Sequence, residues 1–510
     1  MSNNLANPNI KHVFVLMLEN RAFDHMLGLS GISGIDAHTG QPTSIEGVNP
    51  NFQNTYKGAS YPVTTGADLV MPFDPGHEFP DVVQQLCGEG SVYNGGVYPA
   101  INNSGFVADY AGVILKANPA ATGFGEIMKC YKPSQLAVLT QLAQEFCVCD
   151  HWHASLPGPT WPNRFFAHAT TSGGLDHSPS LSEIGDWTLL NGFSFPGGTI
   201  YDKLTAHGKT WRLYRGKKLP RIGSIPNVAA LKGIKLSSTN YYEKFATDVA
   251  GEYSWNYTFI EPNYGDVVNN SYSGGQSEHP MDNVLNGEAL VQSTYEAIRN
   301  SPLWESSLLI ITYDEHGGFY DHVAPPAAVP PGDSTPKTGH NQYGFLFDRY
   351  GVRVPAVVIS AYTLKNSISH TVFDHSSIPA TLECMFGLNP MTGRDGTANN
   401  LTALAGLAAA RTDTPEKLQG VGGLGGGIGG WLQRAWQWIR RGRGLPGPSV
   451  DETTETADKG NLPGFLHVVM KARAERQLPE THHALTQEFS EKIRTKADAR
   501  NYLNTHLPEL

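Results

Sequence analysis

Two apolar runs stand out against the mixed patterning of the chain. His12–Leu18, HVFVLML, is almost continuously apolar and ends abruptly in Glu19 and Asn20. Leu308–Thr312, inside SLLIITYDEHGGFYDHV, ends the same way, in Asp314 and Glu315, followed by His316, a Gly-Gly turn and His322. Runs of this length and composition suit strands buried on both faces of a parallel sheet. Side chains at the carboxyl ends of such strands stand where open α/β sheets place their ligands. Buried charge is costly unless it is paired or bound to metal. Two acid-tipped strands therefore predict a shared cation site; two solvated strand ends are the plainer alternative.

Helical periodicity fills the spaces between. Leu136, Leu139, Leu142 and Phe146 recur at three- and four-residue steps and predict a helix over Ser134–Phe146. Glu288–Asn300 predicts another, leading into the second strand, and Ser377–Phe386 a third, with Asp374 as its cap. Val352–Ile359 reads as a strand interrupted by Pro355, so an edge or a bulge is expected there. The short apolar run Phe146–Cys149 predicts a further strand end, carrying Asp150, His151 and His153. In Gly158-Pro159-Thr160-Trp161-Pro162-Asn163-Arg164 a hydroxyl precedes a proline that fits the first turn of a helix. Thr160 then sits at a helix N-terminus, where free N–H groups and the helix dipole favour negative charge. An ordinary threonine N-cap would look the same.

Composition narrows the function. The 510 residues carry a formal net charge of −10 and no long basic tract, which disfavours nucleic-acid binding. An anionic substrate would have to be drawn by local positive charge. Hydrophobic content of 40 % supports a substantial core, and 55 Gly with 34 Pro imply many loops. Five cysteines, Cys87, Cys130, Cys147, Cys149 and Cys384, are read as mostly buried thiols and not as a disulfide framework. No secretory signal is evident at the N-terminus. The expectation is a chain that is cytoplasmic at synthesis and peripheral to membranes, with a signal-independent export route left open.

Domain boundaries follow the composition. Residues 1–410 are expected to form the catalytic domain, with 191–277, rich in Gly, Tyr, Asn and Ser, as an insert shaping the pocket mouth. Its neighbourhood holds Trp187, Trp211, Tyr214, Tyr241, Tyr242 and Trp255, which could be core aromatics or a surface for a quaternary ammonium group. Residues 411–460 read as a Gly-rich linker, GVGGLGGGIGG, followed by Trp431–Arg441, WLQRAWQWIRR. That segment places Trp, Leu and Ile on one helical face and Gln and Arg on the other, a pattern suited to a membrane interface or to packing on the catalytic domain. Residues 461–510 read as a charged helical tail.

ENRAFDHMLG, GPTWPNR, YDEHGGFYDHV and FDHSSIPATLE, in that order from about His12 to about Gly387, resemble the phosphoesterase family of bacterial non-haemolytic phospholipase C, plant non-specific phospholipase C and acid phosphatase A. The resemblance implies an α/β fold similar to alkaline phosphatase: a mixed, largely parallel sheet with helices on both faces, here with a C-terminal helical extension. It implies one divalent metal ion held by Glu19, Asn20, Thr160, Asp314 and Glu315, with Thr160 as nucleophile. An all-oxygen set suits Ca²⁺, Mg²⁺ or Mn²⁺ better than Zn²⁺, although zinc also accepts carboxylates. His77 resembles a phosphate-contacting histidine of the family, and His322 and His375 join it as expected catalytic groups. Asp24, His25, His316 and Asp374 are expected just behind the ligands. Arg164 could clamp phosphate, but its place more than one turn beyond Thr160 favours pairing with a carboxylate.

The function implied is a phospholipase C that cuts phosphatidylcholine-like phospholipids to diacylglycerol and a phosphorylated head group, through a phosphothreonine intermediate. An acid phosphatase acting on monoesters is the alternative. A non-catalytic phospholipid-binding protein on the same scaffold is the reading from another class.

Overall fold

The computed structural model describes residues 6–187, 190–218, 222–333, 340–420 and 451–510. The Trp431–Arg441 segment, and the Gly-rich run before it from residue 421, lie outside the described residues. The strands are β1 (His12–Leu18), β2 (Ser33–Asp36), β3 (Pro42–Ser44), β4 (Gln53–Tyr56), β5 (Ala59–Pro62), β6 (Thr64–Thr65), β7 (Lys129–Cys130), β8 (Cys147–Cys149), β9 (Trp211–Arg215), β10 (Asn240–Tyr241), β11 (Tyr257–Ile260), β12 (Ser307–Tyr313), β13 (Ala356–Ile359) and β14 (Ser367–Ser369). The helices are α1 (Phe79–Cys87), α2 (Phe106–Ala117), α3 (Ala137–Glu145), α4 (Thr160–Ala169), α5 (Leu181–Trp187), α6 (Ile200–Ala206), α7 (Phe245–Ala250), α8 (Val284–Arg299), α9 (Ser377–Phe386), α10 (Leu462–Ala474), α11 (His482–Lys492) and α12 (Lys496–His506).

Ten strands form one mixed sheet in the order β10-β9-β11-β1-β12-β13-β8-β14-β2-β3. Strands β10 to β12 run parallel, β13 is antiparallel to both its neighbours, and β8, β14 and β2 are parallel again. Helices cover both faces. Phe259 and Tyr257 of β11 pack on His168 of α4 and Tyr201 of α6. Phe14, paired in register with Thr258 and so pointing the other way, packs on Phe245 of α7. This is why β1 and β12 read as unbroken apolar runs: Val13–Leu18 and Leu308–Ile311 are each at most 1 % exposed. Each such side chain contributes about 1.5–3 kcal/mol of burial. A slip of one residue would pull Glu19 into the apolar layer, so the register at the strand ends is fixed.

Three expectations are corrected and a fourth is extended. Pro355 does not mark an edge: β13 begins immediately after it and lies in the middle of the sheet, so no ladder N–H is lost. Asp374 does not cap α9, whose N-cap is Ser376; its carboxylate instead accepts from Ser155 (2.9 Å) and Arg394 (3.3 Å). Residues 191–277 are not simply an insert, because they supply β9, β10 and β11 to the main sheet. The segment from 461 is helical, as its sequence suggests, and its first helix is part of the core. Leu462, Phe465, Leu466, Val468, Val469 and Met470 of α10 are each at most 1 % exposed. A Cβ on Gly464 would stand 2.1 Å from the Trp161 ring, so α10 packs against α4 as closely as backbone allows. No helix among the described residues is long and apolar enough to cross a membrane.

Candidate active site

The carboxyl ends of β1 and β12 build the centre of the site. The two strands pair in parallel with Leu18 opposite Tyr313, which sets Glu19 beside Asp314. The Asn20 N–H donates to Asp314 Oδ1 (3.2 Å) and the Arg21 N–H to the Glu315 carbonyl (2.9 Å), lacing the two turns together. Asn20 takes the left-handed conformation at φ 58°. Gly317 passes so near that a Cβ there would lie 2.2 Å from the Asn20 carbonyl oxygen, and its own φ is +65°. Only glycine meets both demands.

Thr160 is the first residue of α4, after Pro159 in extended conformation, and is fully buried. The Asn163 amide ties down the preceding loop, bonding Leu156, Gly158 and Pro159. One turn on, Arg164 Nε donates to Asp314 Oδ2 (2.8 Å) and Nη2 to the Leu18 carbonyl (3.2 Å). Its guanidinium also lies 3.9 Å from Glu19 and 3.7 Å from Glu261. Arg164 thus fastens the Thr160 helix to both acid-tipped strands.

The donor set fits a hard cation. Both carboxylate oxygens of Glu19, both polar atoms of the Asn20 amide and Oε1 of Glu315 are buried and complete no hydrogen bond. Burial drives the Glu19 carboxyl well above its usual range against the pull of Arg164, and burial raises Asp314 as well. Glu19, Asp314 and Glu315 crowd one buried site beside Arg164, with His77 near Glu315, and a divalent ion would offset the remaining negative charge. Asp314 is the most engaged of the three, since Oδ1 also accepts from the Glu315 N–H (2.8 Å).

The histidines divide. His77 is partly buried, which disfavours its cation, yet Glu315, Asp74 and Glu78 outweigh that and lift its pKa to about 10. Its Nδ1 meets the Pro75 carbonyl at 2.9 Å. His316 lies between Gln85 (2.7 Å) and Glu315 (3.4 Å). His375 is a correction: Nε2–H donates to the Asp314 carbonyl (2.6 Å) and Nδ1 accepts from Trp152 (3.3 Å). With both nitrogens engaged and burial lowering its pKa to about 4, it braces the Asp314 turn. His322 is a second correction. It pairs with Asp24 (2.6 Å) beside Arg353, in a network where no contact with Glu19, Thr160 or Glu315 occurs. His25 stacks on Phe319 (3.7 Å) and bonds Arg21, whose guanidinium holds the backbone of Glu278 and His279.

Four residues escaped the sequence reading. Asn461, just before α10, donates from Nδ2 to Thr160 Oγ1 (3.3 Å) and to the Tyr272 hydroxyl (2.8 Å). Tyr272 in turn stacks on His279 (3.5 Å), whose two ring nitrogens are buried without a hydrogen bond. Asp74, His77 and His279 bring ligand-type atoms within 4.8 Å of one another. Glu261, after β11, lies beside Arg164 and also caps the turn at Asn227 and Val228 (2.7 and 2.8 Å). The Ser277-Glu278-His279-Pro280 run was the one local signal for His279; nothing local marks Asn461.

The comparisons agree with this geometry. The chain matches the Phosphoesterase family over residues 10–389. It is similar to non-specific phospholipase C3 of Arabidopsis thaliana, 34 % identical over 430 residues that cover 81 % of this chain and 76 % of that one. Non-specific phospholipase C6 of the same plant is 36 % identical over 428 residues, 81 % of this chain and 75 % of the relative. Phospholipase C A of Mycobacterium tuberculosis (strain CDC 1551 / Oshkosh) is 28 % identical over 444 residues, 80 % of each. The chain belongs to the phosphoesterase family and is a phosphoric ester hydrolase.

Proposed function

We propose that this protein is a metal-dependent phospholipase C acting on phosphatidylcholine-like lipids, with Thr160 as nucleophile. The observation that carries the reading is a buried hydroxyl at the N-terminus of a helix that Arg164 fastens to Asp314, beside Glu19, Asn20 and Glu315, which keep buried polar atoms that complete no hydrogen bond. The names of the relatives support the substrate class. Glu19, Asn20, Thr160, Asp314 and Glu315 would hold a divalent ion, which would supply the charge that acidifies the hydroxyl and neutralises a phosphoryl oxygen.

The residues of the chain do the rest. Thr160 Oγ attacks phosphorus as its proton passes to solvent, the bond to the diacylglycerol oxygen breaks, and that oxygen takes a proton from His77. His77 stays protonated at neutral pH and is the donor in this scheme. Water then attacks the phosphothreonine, returning the Thr160 hydroxyl and releasing the phosphorylated head group. Asn461 orients the Thr160 oxygen, and His375 and Arg164 hold the Asp314 turn. The Trp431–Arg441 segment is the bilayer-facing element in this reading, on sequence pattern alone.

The test is product analysis on phosphatidylcholine vesicles and on phosphocholine, with and without a chelator. The reading expects diacylglycerol and phosphocholine in equal amounts, lost on chelation and restored by a divalent ion. Free phosphate from phosphocholine, with no diacylglycerol from vesicles, would replace it with a phosphatase.

A further inference from the structure

A second group of ligand-type side chains lies apart from the acid-tipped strands. Asp150 and His151 follow β8, and His370 follows β14, the parallel neighbour of β8. One ligand atom from each of the three lies within 4.8 Å of the others. Glu46, after β3, joins them: His151 Nε2 is 2.7 Å from Glu46 Oε2, and His370 Nδ1 is 2.8 Å from Asp150 Oδ2. We propose that Asp150, His151, His370 and Glu46 form a second divalent-metal site, of zinc type, that staples the β3–β4 segment to the ends of β8 and β14.

Chemistry and support both point there. Two imidazoles with two carboxylates make a four-donor set that suits zinc, unlike the all-oxygen set beside Thr160. The donors are held from behind. Asp150 Oδ2 accepts the Glu46 N–H at 2.7 Å, and Arg353 Nη1 donates to the carbonyls of Glu46 (3.0 Å) and Asp150 (2.9 Å). The Thr43 hydroxyl stands 2.9 Å from His370 Nε2, so Nδ1 is the ring nitrogen left to face the ion. Asp150 is fully buried, while the side chains of His151, His370 and Glu46 are 19 %, 32 % and 49 % exposed, which gives an ion a way in. Donors at about 2.0–2.1 Å from a tetrahedral zinc ion stand roughly 3.3 Å apart. The two imidazole–carboxylate pairs need to open by only about half an ångström. The other groups facing the site are Asp36, 3.9 Å from His370, and His322, 4.0 Å from Glu46.

The test uses the full chain, stripped of metal and titrated with Zn²⁺ against a chromophoric chelator. The wild type should take up one more equivalent than His151→Ala/His370→Ala. Saturating zinc should raise its Tm by about 5 °C, and that shift should persist in Glu19→Gln/Glu315→Gln, where the catalytic ligands are removed. Zinc uptake in His151→Ala/His370→Ala equal to wild type would overturn the site. Should that variant not fold, His370→Gln keeps a polar side chain that can still meet Thr43 at the Nε2 position. It should bind zinc at least tenfold more weakly, and an unchanged affinity would be equally fatal. Hydrolysis of a soluble phosphodiester by His370→Gln should match wild type, which separates this site from the catalytic one.

Discussion

The same two motifs feed two neighbouring charge clusters that are built in opposite ways. Glu19 and Asn20 go to the Thr160 site, and Asp24, a few residues later, to a cluster with Arg353. Asp314 and Glu315 go to the first, Asp321 and His322 to the second. In the second cluster every charge is answered. Arg353 donates to Asp24 Oδ1 and Asp321 Oδ1 at 2.9 Å each, His322 fills Asp24 Oδ2 from its N–H and its ring, and the Asp24 N–H fills Asp321 Oδ2. In the first, Glu19 completes no hydrogen bond and meets Arg164 only at 3.9 Å. Residue types are alike, and satisfaction differs. A saturated buried network organises the fold; an unsaturated one holds charge in readiness for something that is bound.

Thr160→Ala should break the comparison most sharply. It removes the nucleophile from the unsaturated cluster, and kcat should fall by ~10⁴-fold or more with the fold intact. Near-normal turnover, measured with matched circular dichroism, would take Thr160 out of the mechanism.

Stability should respond with opposite signs in the two clusters. Asp24→Ala leaves the buried Arg353 short of a partner and should cost about 3–5 kcal/mol in denaturant unfolding. Glu19→Gln, in metal-free protein, removes a carboxylate whose burial outweighs its distant pairing with Arg164, and should raise Tm while abolishing activity. A loss of stability in both would erase the distinction. The Asp24 partner also carries a pH signature. Burial alone would lower the His322 pKa, but the Asp24 contact raises it. The cation is therefore favoured by folding. Its stabilisation is complete below about pH 6.5 and lost as pH rises through the higher folded value. Unfolding of His322→Gln across that window should lack this dependence.

How much of this could be read from the chain follows from the range of each interaction. β1 and β12 were legible because two-sided burial imposes unbroken apolar runs, and the acids that end them stand out. Which acids join which cluster was not legible. Asp24 and Glu19 differ only in where the turn after β1 carries them, and the partner that decides, Arg353, comes 329 residues after Asp24. His322 and His375 looked alike in their motifs; the difference lies in Trp152, the Asp314 carbonyl and Asp24, which occupy their nitrogens. Asn461 opens a helix whose apolar face is buried, and a helix start gives no hint of the hydroxyl 301 residues upstream.

His77→Gln probes the proton on the active side of the comparison. A donor of this kind contributes about 10²–10³-fold, so kcat should drop by that factor. The basic limb of kcat/KM, expected well above pH 6.5 because the surrounding carboxylates hold His77 protonated, should vanish with it. A limb unchanged in the variant would assign the proton elsewhere. The smallest effect belongs to Asn461→Ala. It deletes one hydrogen bond to the nucleophile, worth about 1 kcal/mol, and should lower kcat roughly fivefold with KM little changed. A rise in KM instead would make Asn461 a substrate contact.

The link from Asn461 to Thr160 has a consequence during synthesis. The nucleophile, the acid pair at β1 and the acid pair at β12 all leave the ribosome before the residue that steadies the attacking oxygen. Until α10 docks, the Trp161 surface that it covers is bare. A chain that stops short of residue 461 therefore lacks both the donor to the Thr160 hydroxyl and the helix that covers Trp161.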